Sequence, residues 1–382
     1  MIKVLNLISH LVNLLLISIL KFEKQIRTEK SLLIIRLDSI GDYILFRNFL
    51  KIIRNSEKYR NYRITLCGNI IWRDLAEELD SDFVDSFIWI DRKKFSNNIF
   101  YKYKILKSIY IKGFETVVDT TYSREILFGD SIISASNAKL RIGSSGALDK
   151  HTKWKRNLLT DKYYTKLINT TKNNVFEFYR NKEFFEKLLD NNFNLTKPGI
   201  EADKIKYVLP AEKYVVIVPG AADEKRRWDV NNFGQISSYI SRQFGFDIVL
   251  AGSESERAIC GKLRKIINGE NVFNVCSAIS LPELVKLITN TELLISNETG
   301  PVHIAAATST PFICISNGNH FGRFHPYPEE IFNAGYYLYP PQIMKHINNL
   351  EKLSELYRFE SNLDINLIKP NDVIKQIPKV LG

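Results

Sequence analysis

Residues 293–315 have the sequence LLISNETGPVHIAAATSTPFICI, in which two apolar runs flank a short turn and a small-residue segment. The run Glu292–Ser296 predicts a strand buried on both faces. Pro301 suits the first turn of a helix, which we predict over Pro301–Thr308. Phe312–Ser316 predicts the next strand. This strand–helix–strand succession is the unit from which parallel sheets covered by helices are built.

The same alternation continues outward in both directions. Further strands are predicted at Ser31–Leu37, Tyr62–Gly68, Ser86–Ile90, Glu115–Asp119, Lys139–Ile142, Tyr214–Val218, Asp247–Ala251 and Val272–Cys276. Helices are predicted at Tyr43–Arg54, Ile71–Leu79, Val175–Leu189, Val230–Phe244, Glu254–Ile267 and from Ser280 to about Thr289. The polar stretch 143–175, with GSSG at 143–146, predicts a long loop.

The two series predict two doubly wound α/β domains, which suits a chain of 382 residues. Their predicted bounds are 31–200 and 205–345, on either side of an Asn- and Pro-containing break. We expect the tail 346–382 to pack back on the first domain, with a helix near Asp372–Val380.

Residues 1–30 contain an apolar run from Val4 to Leu20 that carries a polar stripe at helical spacing, formed by Asn6, His10 and Asn13. The run predicts a helix that packs on the protein or lies in a membrane interface. A membrane span or a secretory signal is the remaining alternative, although the run is short and no small-residue cleavage site follows it.

The chain carries a net charge of +11, which favours anionic partners such as phosphorylated small molecules or a membrane surface. Its Lys and Arg residues form no long block and no zinc-finger pattern occurs, so we expect no nucleic-acid partner. The four cysteines, Cys67, Cys260, Cys276 and Cys314, form no C-x-x-C pair. This spacing favours a reducing, cytoplasmic location.

The first chemical signal is Asp38-Ser-Ile-Gly-Asp42, between the first predicted strand and its helix. Ligands bind at the carboxyl ends of parallel strands. Gly41 permits a tight turn, and Asp42 lies beside a helix N-terminus, which favours an ionised carboxylate. Such a group suits a general base for a hydroxyl. The alternative is that Asp42 only caps the helix.

A second signal is the loop Val218-Pro-Gly220-Ala, followed by three successive cations before Trp228. Cations beside a helix N-terminus suit a diphosphate, although a solvated basic loop gives the same pattern. The chain has no G-x-G-x-x-G and no G-x-x-x-x-G-K-[ST] motif, which argues against a dinucleotide oxidoreductase and a P-loop NTPase.

The third and strongest signal is SNETGPVHIAAA at 296–307. Gly300 permits close backbone approach, and the free N–H groups of the following first turn can hold phosphate oxygens. His303 is expected near the ligand-binding end of the sheet rather than deep in the core. A histidine on an apolar helix is more often structural, but its place beside Glu298 and Thr299 favours a functional role.

Four segments in order, IIRLDSIGDYIL, VVIVPGA followed by EKRRW, IVLAGSESE and LLISNETGPVHIAAATSTPFICI, resemble glycosyltransferase family 9, the heptosyltransferase family of lipopolysaccharide core assembly. The resemblance covers about Leu32 to Pro328. It implies an α/β fold of the GT-B type, with two facing Rossmann-like domains and parallel sheets. It also implies inverting, metal-independent transfer from a nucleotide sugar, with ADP-heptose as first choice, to a saccharide or glycolipid acceptor.

The resemblance assigns acceptor-side roles to the first domain and donor-side roles to the second. Asp42 matches the family's proposed general base, and Gly41 and Arg124 match acceptor-side positions. The donor-binding set, which includes two residues of the basic loop, comprises Gly220, Lys225, Arg226, Glu254, Glu256, Glu298, Thr299, Gly300 and His303.

The chain also departs from the family pattern. Glu298 replaces the usual Asp, Arg226 replaces the usual Lys, and the segment 316–328 replaces a plain Gly-rich loop. Two alternatives stay open beside the transferase. One is a nucleotide-sugar epimerase or hydrolase on the same fold. The other is a non-catalytic protein that binds nucleotide sugars or a membrane surface.

Overall fold

The computed structural model describes residues 2–146, 159–171 and 175–382, with side chains described from Leu11 onward in the first helix. The chain divides into two compact units. Unit 1 comprises Met1–Asn173 and Tyr179–Asn194, and unit 2 comprises Asn174–Phe178 and Leu195–Gly382. The main break lies between Asn194 and Leu195, and the apolar N-terminal segment belongs to unit 1.

Unit 1 contains a six-stranded parallel sheet in its described part, with the order β3-β2-β1-β4-β5-β6. Its strands are β1 (Thr28–Arg36), β2 (Arg63–Asn69), β3 (Ser86–Ile90), β4 (Phe114–Asp119), β5 (Leu140–Ser144) and β6 (Lys166–Ile168). From Ser31 onward β1 is buried, as expected of an apolar strand between two layers of helices.

The helices associated with this sheet are α1 (Ile2–Leu20), α2 (Ile40–Ile44), α3 (Asn48–Asn55), α4 (Arg73–Leu79), α5 (Arg92–Asn97), α6 (Ile99–Lys112), α7 (Gly129–Ser136) and α8 (Glu177–Leu189). Short 3₁₀ turns occur at Ile70–Trp72 and Asp161–Tyr163. Only the residues of α8 from Tyr179 onward belong to unit 1.

From Leu11 onward, where its side chains are described, helix α1 packs on unit 1 through one face. Leu16 and Leu20 are buried in the core of the unit, and the helix contacts α6 and α7. The opposite face exposes large apolar side chains. Among the helices that the structure describes, none has the length and apolar character required to cross a bilayer.

Unit 2 contains a second six-stranded parallel sheet in its described part, with the order β12-β11-β10-β7-β8-β9. Its strands are β7 (Tyr214–Val218), β8 (Asp247–Leu250), β9 (Val272–Asn274), β10 (Leu293–Asn297), β11 (Phe312–Ile315) and β12 (Gly335–Leu338). Read from β9, this order repeats that of unit 1 from β3. The chain therefore carries one topology twice.

The helices of unit 2 are α9 (Val230–Phe244), α10 (Arg257–Ile267), α11 (Leu281–Thr289), α12 (Gly300–Ala307), α13 (Pro341–Met344), α14 (Leu350–Tyr357), α15 (Pro370–Ile374) and α16 (Pro378–Leu381). Short 3₁₀ turns lie at Ala202–Lys204, Glu224–Arg226, Glu254–Glu256 and Ile365–Leu367. Ser280 and Glu283 form the predicted capping box of α11.

Three predictions differ from the structure. The helix predicted over Tyr43–Arg54 is two short helices, α2 and α3, separated by a turn. The predicted loop 143–175 lies partly outside the described residues, but its described part contains the end of β5 and all of β6. The tail was expected to pack on the first domain, whereas Val373 and Ile377 pack in the core of unit 2.

In each unit the order of strands reverses between two central neighbours, β1 and β4 in unit 1 and β7 and β10 in unit 2. Such a point leaves a crevice beyond the carboxyl ends of the strands, where ligands bind in open α/β sheets. The residues singled out from the sequence follow these four strands, except Glu254 and Glu256, which follow β8. Each unit therefore presents its own candidate site.

Candidate active site

The candidate site of unit 1 begins where β1 ends at Arg36. Asp42 lies in the first turn of α2, with its side chain 17% exposed. The guanidinium of Arg36 is buried and lies beneath two carboxylates, with Nε 3.0 Å from Asp38 Oδ2 and Nη2 3.5 Å from Asp42 Oδ1. A buried cation thus fixes the position of the group predicted to act as a base.

Hydrogen bonds from its third nitrogen, Nη1, also hold Arg36 in place. Its Nη1 donates to the carbonyl of Thr120 and to Oδ1 of Asn181, each at 3.3 Å. The Asn181 amide in turn donates to the carbonyl of Leu45. The sequence analysis missed Arg36, although a single charged residue in the apolar run SLLIIRL was a usable signal, because a buried charge requires a partner.

The turn before α2 is anchored by two side chains, one at the end of β2 and one in the 3₁₀ turn that follows it. Asn69 donates to the carbonyls of Leu37 and Asp38 at 3.2 Å, and the indole N–H of Trp72 donates to the same Asp38 carbonyl at 3.1 Å. Gly41 is buried inside the first turn of α2 rather than in a free loop. The Asp42 carboxylate therefore projects from a rigid element.

Arg124 lies inside a buried polar cluster, although the family resemblance places it on the acceptor side. Its side chain has no exposed surface. The guanidinium donates to Asp161, lies 4.0 Å from Asp130 Oδ1 and stacks 4.4 Å from the Tyr164 ring. This conformation offers the guanidinium to unit 1 itself rather than to a ligand, so the acceptor role stays a prediction.

The same cluster contains a third carboxylate, that of Asp119. The Tyr164 hydroxyl donates to Asp130 Oδ1 at 2.5 Å and to Asp119 Oδ2 at 3.2 Å. Burial raises the pKa of Asp119 to about 7, and the charge of Asp130 adds to the effect. Arg124 is the cation of this cluster among the described residues, which gives it a structural function.

In unit 2 the site is built where β7 and β10 end side by side. Asn297, the last residue of β10, joins the two loops that follow. Its amide donates to the carbonyls of Pro219 at 2.8 Å and Gly220 at 3.2 Å, while its Oδ1 accepts from the backbone N–H of Trp228 at 3.1 Å. Sequence reasoning missed this residue because an asparagine after a strand also suits an ordinary turn.

Arg226 and Glu298, both predicted donor-site residues, form an ion pair. One guanidinium nitrogen, Nη2, donates to both the backbone carbonyl and Oε2 of Glu298. The Glu298 side chain is 8% exposed. Burial raises the pKa of Glu298 to about 7, although the charge of Arg226 works in the opposite direction.

His303 lies near the start of α12, at the predicted end of the sheet, but its side chain is buried, whereas the sequence predicted a position outside the core. Its Nδ1 is hydrogen-bonded to the hydroxyl of Tyr327 at 2.8 Å. Burial, together with the charge of Arg226, lowers the pKa of His303 to about 4, so the ring is neutral near pH 7. The hydrogen bond between His303 and Tyr327 therefore links α12 to the segment that contains Tyr327.

The first turn of α12 follows the predicted pattern. Thr299 occupies the N-cap position, Gly300 begins the helix and Pro301 lies in its first turn. The Thr299 hydroxyl is bonded locally, to the Asn297 carbonyl at 3.2 Å and the Ser296 hydroxyl at 3.3 Å. The N–H groups at this end of α12 suit a phosphate group.

The remaining donor candidates divide into two sets. Gly220 lies against Glu256, because a Cβ at Gly220 would come within 1.8 Å of the Glu256 carboxylate. Glu256 caps its own turn by accepting from the backbone N–H of Ser253 at 2.6 Å. Lys225 and Glu254 are exposed and bond elsewhere, Lys225 to Asn362 at 3.1 Å and Glu254 to Arg257 at 3.4 Å.

Comparison with known protein families matches residues 132–353, more than half of the chain, to the family described as glycosyltransferase family 9 (heptosyltransferase). The chain belongs to glycosyltransferase family 9. The match includes every donor-side candidate of unit 2 and, in unit 1, begins after Arg124 and Asp42.

A lipooligosaccharide heptosyltransferase 2 from Campylobacter jejuni is 26% identical over 136 residues, which cover 33% of this chain and 42% of that protein. The match therefore spans less than half of the relative. A family 9 glycosyltransferase from Veillonella parvula covers 92% of this chain and 97% of its own at 16% identity, with a TM-score of 0.70. The Escherichia coli heptosyltransferase WaaC, solved with ADP, covers 91% and 97% at 15% identity, with a TM-score of 0.66. These likenesses confirm the predicted α/β fold class of the GT-B type.

Proposed function

We propose that this protein is an inverting, metal-independent glycosyltransferase that transfers heptose from ADP-heptose to a lipopolysaccharide or related surface-glycan acceptor. The observation that carries the proposal is the switch point of unit 2. There Arg226 and the first turn of α12 lie at the ends of β7 and β10, within the segment matched to the family. Cations and free N–H groups in this position suit a diphosphate.

In this mechanism Asp42 accepts the proton of an acceptor hydroxyl while that oxygen attacks the anomeric carbon of the donor. The bond from that carbon to the diphosphate breaks, and attack from the opposite side inverts the stereocentre. Negative charge develops on the departing diphosphate. Arg226, Lys225 and the backbone N–H groups of Thr299 and Gly300 stabilise that charge. Positive protein groups thereby supply the stabilisation that a metal ion supplies in other transferases.

Arg36 supports the role assigned to Asp42. Its buried guanidinium contacts the Asp42 carboxylate, and a nearby cation favours the ionised form that a base requires. Asp38, which contacts the same guanidinium, provides a matched control. We expect Asp42→Asn to abolish sugar transfer and leave ADP binding intact, and Asp38→Asn to retain measurable transfer.

The first experiment is a calorimetric titration of the protein with ADP, UDP and GDP in the presence of EDTA. We expect ADP to bind most tightly, and Arg226→Ala to weaken its binding. Preference for UDP or GDP would keep a transferase and discard ADP-heptose. Absence of nucleotide binding would remove the donor-site proposal.

The same preparation distinguishes the alternatives. A nucleotide-sugar epimerase or hydrolase would convert its donor without any acceptor. If the protein only binds nucleotide sugars, the wild type and Asp42→Asn would bind nucleotide equally well, and neither would show turnover. We expect turnover that requires an acceptor, measured as ADP release with and without added lipooligosaccharide.

We also propose that unit 1 contacts the anionic inner face of the cytoplasmic membrane through α1. The described outward positions of this helix recur at helical spacing and are apolar apart from Ser18: Leu11, Leu14, Leu15 and Ile19. Phe22 is 94% exposed. Exposed Lys21, Lys24 and Arg27 follow directly. An apolar stripe beside cations matches the interface of an anionic bilayer.

Sedimentation with vesicles of phosphatidylglycerol tests this contact. We expect Leu15→Asp to lower vesicle binding at least severalfold, because an ionised carboxylate must then enter the lipid interface. Leu356→Asp is the matched control, since Leu15 and Leu356 are 60% and 59% exposed and only Leu15 lies on α1. Equal binding by both variants would refute the contact, and concentration-dependent dimerisation lost in Leu15→Asp would assign the stripe to a second copy of the chain.

A further inference from the structure

The ion pair between Arg226 and Glu298 occupies only part of the guanidinium. Nη2 makes both contacts to Glu298, while Nε is buried and has no hydrogen-bond partner among the described residues. The pair therefore has a spare donor, but the charge of the guanidinium is already balanced by a carboxylate. An arginine bound in this way is well oriented and poorly available as a counter-ion for a phosphate.

Within the described part of the chain, the other groups around Glu298 do not supply a second cation. His325 Nε2 lies 4.0 Å from Glu298 Oε2, but burial lowers the pKa of His325 to about 3, so its ring is neutral. Its Nδ1 bonds Tyr339 at 2.9 Å and its Nε2 lies 2.7 Å from the Asn319 carbonyl. Three further described groups interact electrostatically with Glu298, and all are buried and neutral near pH 7: Cys314, Tyr337 and Tyr339.

We propose that Glu298 is a positioning residue that holds Arg226 in the empty site and releases it to the diphosphate of the donor by taking up a proton. The inference rests on the proposed function, because it requires a nucleoside diphosphate group at Arg226. The two acidic groups compete for one guanidinium. Glu298 is too deeply buried to be solvated as an anion once Arg226 turns to the phosphate, and protonation removes that cost.

The sign of the pH dependence follows from linkage. The pKa of Glu298 is raised by burial to about 7 in the free protein. A bound diphosphate raises it further, because it adds negative charge and withdraws Arg226. Donor binding therefore takes up a proton, and affinity falls as the pH rises above about 7. Each pKa unit gained on binding changes the affinity about tenfold between the two plateaus.

The experiment measures ADP affinity calorimetrically from about pH 6 to about pH 9 for the wild type and Glu298→Gln. The terminal phosphate of ADP also titrates near neutral pH, so the ratio of the two affinities at each pH is the readout. We expect the wild type to lose roughly tenfold more affinity than Glu298→Gln across this range. Titrations in two buffers of different ionisation enthalpy should show extra proton uptake by the wild type alone.

Two further variants complete the test. Glu298→Asp keeps the carboxylate, so the ratio of its ADP affinity to that of Glu298→Gln should still depend on pH. Glu270→Gln, at an exposed position of unit 2, should behave as the wild type. If ADP binds and the ratio is constant with pH, the coupling is refuted while the proposed donor survives. If neither the wild type nor Glu298→Gln binds ADP at any pH, the proposed donor itself fails.

Discussion

Replacement of Arg124 by methionine is predicted to destabilise unit 1 strongly. The guanidinium is fully buried, contacts Asp161 and Asp130, and stacks on Tyr164. Methionine fills similar volume but carries no charge. The carboxylates of Asp130 and Asp119, both without exposed surface, would then share a buried cluster that lacks its cation.

The expected cost is about 3–5 kcal/mol, the usual penalty for removing one partner of a buried ion pair. A desolvated cation over an aromatic face accounts for about 2 kcal/mol of that figure. Addition of Asp130→Asn to Arg124→Met should recover roughly 1–3 kcal/mol, because it removes one of the carboxylates left without a counter-ion.

Native-state hydrogen exchange followed by mass spectrometry is the suitable assay. It reports the free energy of opening for peptides of β4 and β5 separately from unit 2, which avoids fitting a two-state transition to a protein of two units. The single variant should lower the opening free energy of these peptides by the stated amount, and the double variant by less.

The opposite result would refute a structural role for Arg124. If Arg124→Met leaves exchange in β4 and β5 unchanged within about 1 kcal/mol and raises only the KM for the acceptor, the guanidinium acts on the ligand, as the family resemblance implies.

Three further outcomes are expected. Burial lowers the pKa of His303 to about 4 and of His325 to about 3, so unit 2 should lose roughly 1.4 kcal/mol per pH unit for each histidine as the pH falls below about 6.5, measured as the denaturant midpoint against pH. Gly68→Ala should destabilise unit 1 by about 1–3 kcal/mol, seen by hydrogen exchange in β2, because its Cβ would lie 2.2 Å from the buried ring of Trp72. Arg36→Lys keeps the charge but loses the planar fork that contacts two carboxylates. It should lower kcat for sugar transfer while the Kd for ADP stays unchanged.

Strands with continuous apolar runs were predictable from the sequence. Ser86–Ile90 and Tyr214–Val218 match their predicted bounds to the residue. Tyr214–Val218 is buried on both faces, which leaves no polar residue to interrupt its apolar run, whereas Ser86–Ile90 is half-buried at three of its positions. The strand Lys166–Ile168 was missed. It has only three residues and begins with an exposed lysine, so its pairing depends on the neighbouring β5 rather than on local propensity.

The candidate site was predictable in its location and less so in its contacts. The turns after β1, β7 and β10 were predictable because an apolar run followed by small residues can be recognised within a short stretch of sequence. The pairing of Arg226 with Glu298 and the burial of His303 required knowledge of which loops meet. Arg124 illustrates the same limit, since its partners come from two separate segments of unit 1, helix α7 and residues 161–164.

The tail was assigned to the other domain for a related physical reason. Its apolar residues indicate a buried face but carry no information on what covers that face. In the structure Trp228 donates to the carbonyl of Ile368 at 2.9 Å, and Ile368 lies in the core of unit 2. The indole of Trp228, just before α9, thus holds the tail against unit 2.

The repeated order of strands has a consequence for synthesis of the chain on the ribosome. Thr120, just after β4, donates to the carbonyl of Ile35, 85 residues earlier, and Thr291 donates to that of Tyr214, 77 residues earlier. At ordinary translation rates, roughly 4–17 seconds therefore pass between synthesis of the first strand of each unit and synthesis of the strand that pairs with its inner edge. During that interval an apolar strand edge is open, and it can pair with another nascent chain. The two strand edges beside the candidate-site loops are thus points at which partly synthesised chains can aggregate.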